Sequence, residues 1–66
     1  MFKKEVFNGL IAEAGLTKEK LANHLNISPV TLYRKIEDSG NFDKKEILKI
    51  IEVLDKQRTL SLFFDE

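Results

Sequence analysis

One pattern recurs three times in this 66-residue chain and limits its fold more than any other feature. An apolar residue precedes a helix-capping residue, and a second apolar residue stands where the fourth helical position would fall. Leu16, Thr17 and Leu21 form the first copy, Ile27, Ser28 and Leu32 the second, and Phe42, Asp43 and Ile47 the third. This is hydrophobic-staple spacing: the residue before the cap packs on the fourth residue of the helix and fixes the direction in which the chain enters it. In the second copy Pro29 follows the cap, where its fixed φ helps and its missing N–H is not needed. In the third, Glu46 stands three residues after Asp43, as a capping box requires. Helix starts are therefore predicted at about Lys18, Pro29 and Lys44.

The remaining segments also read as helix. Phe2, Val6, Leu10 and Ala14, with Phe7 and Ile11 beside them, make one face of a first helix, which Gly15 would end in a left-handed cap. Ile47-Leu48, Ile50-Ile51 and Val53-Leu54 give the fourth helix a stripe too wide for one neighbour. It is expected to be central in the bundle or to share its face with a partner. In the tail, Thr59 could cap a short last helix, although Leu60, Leu62 and Phe64 also alternate as in a strand. The short helix is the preferred reading. The expected fold is all-α, a compact bundle of four or five helices forming one domain over residues 1–66.

Composition narrows the functional classes. A chain this short buries roughly 60% of its unfolded surface, so stability should be marginal. The absence of cysteine excludes disulfides and thiolate metal sites and fits a reducing cytoplasm. Apolar residues at 42% and charged residues at 33% describe a folded domain. No run approaches the ~20 apolar residues of a membrane span, and the start lacks the h-region of a signal peptide. The chain is expected to be soluble and cytoplasmic. Its formal net charge is zero, which argues mildly against nucleic acid, yet residues 18–35 carry +3 and residues 36–66 carry −3.

Helix two ends only three residues before Pro29, and so short a link forces a sharp angle, as in a helix-turn-helix. Ala22 supplies the small residue for a close crossing, and Asn26 tolerates the left-handed conformation that the turn needs. Leu21, Leu25, Ile27, Leu32 and Ile36 form the apolar seam. Residues 17–36, "TKEKLANHLNISPVTLYRKI", resemble the DNA-binding unit of the Cro/C1-type (XRE) helix-turn-helix family. The resemblance rests on the small residue after leucine in helix two, the "I-S-x-x-T-L-x-R" run, and the "N-F" loop before an "E-I-x-x-I" helix. The helical layout extends it over most of the chain, and "LFF" near the end is reminiscent of small phage repressors of this type. Two positions depart from the family: Asn26 replaces the commoner glycine, and Pro29 and Val30 stand where polar residues are often found.

The resemblance implies a lambda-repressor-like DNA-binding domain and a sequence-specific regulator, most like a small phage Cro-type repressor. Helix 29–36 would enter the major groove of a palindromic double-stranded operator. Ser28, Pro29, Val30, Tyr33 and Arg34 would face the bases, with Arg34 the candidate for a bidentate contact to guanine. Thr17, Lys18, Thr31, Lys35, Asn41, Lys44 and Lys45 are placed for phosphates. Two copies would meet on neighbouring half-sites, as a homodimer formed in solution or on DNA, with Phe63, Phe64 and the outer part of helix four as candidate contacts.

Every one of these residues also has an ordinary structural use. Ser28 and Thr17 are caps first, Tyr33 could pack back onto the domain, and Arg34, Lys35, Lys44 and Lys45 could form a solvated face. His24 reads as a surface residue, with no metal constellation around it. No phosphate loop, nucleophile motif or carboxylate pair points to catalysis, and no cofactor, metal or small-molecule ligand is expected. The rival reading is a protein-interaction module, antitoxin-like or repressor-binding, that keeps the fold without reading DNA. Zero net charge and the apolar tail "SLFFDE" favour it.

Overall fold

In a computed structural model that describes residues 2–64, every regular element is a helix. The chain runs α1 (Lys4–Glu13), α2 (Lys18–Leu25), α3 (Pro29–Glu37), α4 (Lys44–Val53) and α5 (Lys56–Phe64). All three staples lie at the starts that the spacing predicts. Leu21, Leu32 and Phe42 are buried, and Leu16, Ile27 and Ile47 pack against the same core from its edge. Asp43 and Glu46 form the expected box, with Glu46 N–H donating to Asp43 Oδ1 at 2.8 Å and Asp43 N–H donating to Glu46 Oε1 at 3.0 Å.

The first two helices end alike. Gly15 takes φ +74°, and Asn26 takes φ 60° and ψ 41°, both left-handed. Leu16 N–H then donates back to Ile11 O, and Ile27 N–H to Ala22 O, at 3.1 and 3.0 Å. These bonds satisfy carbonyls that the helix itself leaves without donors. They also turn the chain sharply, so α2 packs on α3 after a link of only Asn26, Ile27 and Ser28.

The core is one cluster drawn from all five helices and their connections. Phe2, Phe7, Phe42 and Phe63 meet at its base, with ring centroids 5.4 to 6.1 Å apart in tilted and edge-to-face pairs. Phe2, just ahead of α1, lies over Gly40, where an added Cβ would overlap its ring. The turn after α3 needs left-handed backbone at both Ser39 and Gly40, with φ 56° and 70°.

Two sequence expectations need correction. The buried arc of α1 is Phe7, Leu10 and Ile11, while Val6 and Ala14 are exposed. The helix begins at Lys4, which leaves Phe2 outside its periodicity, and the arc that meets the core is the Phe7 side. Thr59 does not cap the last helix. Asp55 does, accepting from Arg58 N–H at 2.9 Å, and Thr59 falls inside α5, fully buried. The earlier start gives α5 an additional turn and lets Arg58 reach Glu13 on α1. The broad stripe of α4 packs on α2 and α5 and is partly covered: Ile50 is buried, Ile47, Ile51 and Val53 are half-buried, and Leu48 is exposed. No helix among the described residues is long and apolar enough to cross a membrane.

Candidate nucleic-acid interface

The outward face of α3 is made possible by how little of that helix the core needs. Only Leu32 and Ile36 are buried. Ser28 holds the start: its Oγ accepts from Thr31 N–H at 3.1 Å and donates to Thr31 Oγ1 at 2.9 Å. Both hydroxyls are thereby tied into the first turn. The helix then presents Pro29, Val30, Tyr33 and Arg34 outward, with Val30 61% and Tyr33 55% exposed. Tyr33 thus stands away from the core.

Arg34 and Lys35 are used differently. Arg34 makes no ion pair among the described residues. Lys35 is half-buried, with Nζ 3.1 Å from Glu46 Oε1 and 6.0 Å from the centre of the Phe42 ring. The same Glu46 oxygen closes the capping box of α4. Lys35, read from sequence as a phosphate ligand, therefore ties the end of α3 to the start of α4. Asn41 is also engaged, its Nδ2 donating to Asp38 Oδ2 at 3.1 Å. Lys44 and Lys45, in the first turn of α4, are exposed and make no ion pair among the described residues. The same holds for Lys18 at the first turn of α2, where Thr17 Oγ1 accepts from Lys20 N–H at 3.1 Å.

Several acidic side chains pair with basic ones on other helices. Lys4 Nζ donates to Glu37 at 3.0 Å, and this partner raises the Lys4 pKa above its ordinary value. Arg58 grips Glu13 with both terminal nitrogens and also approaches Asp55 at 3.7 Å. His24 Nε2 lies 3.0 Å from both Lys49 O and Glu52 Oε1 and ties α2 to α4. Glu13, Glu37 and Glu46 are each paired with an Arg or Lys. By contrast Lys3, Lys18, Lys20, Arg34, Lys44, Lys45, Lys49 and Lys56 have no ion-pair partner among the described residues.

These links were missed in the sequence because both partners lie on helix faces that read as ordinary solvated charge. Only the capping box gave Glu46 a visible role. The candidate dimer contacts separate as well. Phe63 turns inward to Phe2, Phe7 and Phe42, and Phe64 is 62% exposed. The two described clefts are lined from the first residues of the chain and the end of α3, and from α1, Val53, Asp55 and Arg58. Neither includes the outward residues of the first two turns of α3.

No family model, curated protein or solved structure matches the chain.

Proposed function

We propose that this chain is a helix-turn-helix regulator of transcription that binds double-stranded DNA by sequence, as a Cro-like repressor does. In this reading α3 enters the major groove, α2 lies across the backbone, and two copies occupy the halves of a palindromic operator. The observation that carries it is the outer face of α3: Val30, Tyr33 and an unpaired Arg34 together on a firmly capped helix whose buried side is two residues wide. The lysines at the starts of α2 and α4, without ion-pair partners among the described residues, suit phosphates and give local positive charge on a chain that is neutral as a whole.

The test is a selection of bound duplexes from a random library, followed by a salt titration of the recovered site. A palindromic site is expected, with log affinity falling by about 0.9 per log unit of salt for each phosphate neutralised. Arg34→Ala should remove roughly ten- to hundredfold of the preference for that site, the value of one bidentate guanine contact. Recovery of no preferred sequence would sink the proposal.

A second reading, a module that binds another protein, is favoured by the exposure of Leu48 on α4 and Phe64 on α5. It expects indifference to Arg34→Ala and loss of the partner on Phe64→Ala.

A further inference from the structure

We infer that the segment ahead of α1 is a strap that holds the α3–α4 turn in shape, with Phe2 as its positioning residue. The strap needs no partner; what it controls rests on the DNA-binding reading above, in which Asn41, Lys44 and Lys45 meet phosphates. The turn is strained. Ser39 takes φ 56° and Gly40 φ 70°, two left-handed residues in succession. Glycine adopts that conformation freely, whereas a serine stays there only where its surroundings leave it no alternative. The turn's own bonds are few: Asn41 N–H donates to Lys35 O at 3.1 Å, Phe42 N–H to Gly40 O at 2.8 Å, and the Asn41 side chain to Asp38.

Aromatic rings supply the remaining constraint. Phe42, directly after the turn, is buried against Phe7 and Phe63. Phe2 meets the same two rings at 5.5 and 5.4 Å and covers Gly40 so closely that a Cβ there would overlap it. Two residues on, Lys4 Nζ reaches Glu37 at the end of α3. Phe2 is the member of this cluster that can leave. It is half-buried, precedes the first helix, and borders an open cleft of about 280 Å³ that Ile36, Glu37 and Ser39 also line. Undocking its ring exposes one edge of the core, an opening smaller than unfolding of the bundle. Without the ring, Ser39 and Gly40 are free to relax, and Asn41, Lys44 and Lys45 lose their fixed placement. A duplex that binds the docked form alone is then held more weakly, in proportion to the docked fraction. By reciprocity, bound duplex favours docking.

The experiment compares wild type, Phe2→Leu and Phe2→Ala by native-state hydrogen exchange, with and without the duplex recovered by selection. In Phe2→Ala the Asn41 and Phe42 amides should exchange on the order of tenfold faster, and Ile27 N–H, which closes the α2–α3 turn, should change less. Phe2→Leu refills the space and should restore most of the protection. Gly40→Ala displaces the ring, so it should speed the same two amides, and adding Phe2→Ala to it should bring little further change. On DNA, Phe2→Ala should weaken the selected site and a scrambled duplex by the same factor, since phosphate contacts carry no sequence information. Saturating duplex should slow exchange at Asn41 and Phe42. Equal acceleration at Asn41, Phe42 and Ile27 would show that Phe2 supports global stability alone and would overturn the strap. So would fully additive effects of Phe2→Ala and Gly40→Ala. A loss of sequence preference in Phe2→Ala would overturn control through the phosphate contacts. If no duplex binds, that control falls with the DNA-binding proposal, and the exchange rates still decide the strap.

Discussion

Arg34 and Lys35 are adjacent cations with opposite assignments, and substitution separates them. Lys35 Nζ meets Glu46 where both side chains are largely covered, at 28% and 13% exposure, so the pair is less screened than a surface bridge. Lys35→Ala is expected to lower unfolding free energy by about 1 kcal/mol, whereas Arg34→Ala should leave it within about 0.5 kcal/mol; urea denaturation reads both. Thr59 offers the reverse case. Its hydroxyl is fully buried without a partner among the described residues, in a helix that already has its cap. Thr59→Val keeps the shape and removes the unsatisfied group, so it should stabilise by about 1 kcal/mol, seen as a raised melting temperature. Roles confined to four consecutive residues were legible in the sequence: Ser28, Asp43 and Glu46 could be assigned from spacing alone. The fate of Lys35 was not, because its partner lies across a turn whose path depends on Ser39, Gly40 and the Phe2 ring.

At the scale of elements, the turn between α2 and α3 sets how the outer face of α3 is presented. Asn26 holds a left-handed conformation that costs other side chains roughly 1–2 kcal/mol. Asn26→Ala should therefore destabilise by about 1 kcal/mol, and Asn26→Gly should be nearly neutral, as chemical denaturation would report. That turn and the three stapled helix starts could be read from sequence because each signal is local and redundant, with staple, cap and proline or glutamate in agreement. The first and last helices carried no such agreement. Lys3 makes no side-chain cap for α1, and both Asp55 and Thr59 are residue types that cap. In the structure Asp55 is the cap, and Arg58 in the first turn that it starts meets Glu13 of α1. The outward direction of Val30, Tyr33 and Arg34 was legible once the seam of Leu32 and Ile36 was known, but the sequence could not say which lysines would be consumed within the fold.

For the whole molecule, a neutral sequence still distributes its charge unevenly, since Glu13, Glu37 and Glu46 are each fixed against a Lys or Arg of another helix. The Arg58 hydrogen bond and charge hold the Glu13 carboxyl below its ordinary pKa. Its stabilising contribution is therefore present above the ordinary carboxylate range and lost as pH falls through the lowered value. Wild type and Glu13→Gln should differ in melting temperature at neutral pH and converge in acid, and added salt should narrow the gap, because the pair is exposed to solvent. The core, the caps and the internal ion pairs all lie apart from Val30, Tyr33 and Arg34. The scaffold thus places almost no demand on the three side chains that face outward. They can be exchanged with little loss of stability, so a lineage carrying this fold could acquire a new target through a handful of substitutions, each intermediate still folded.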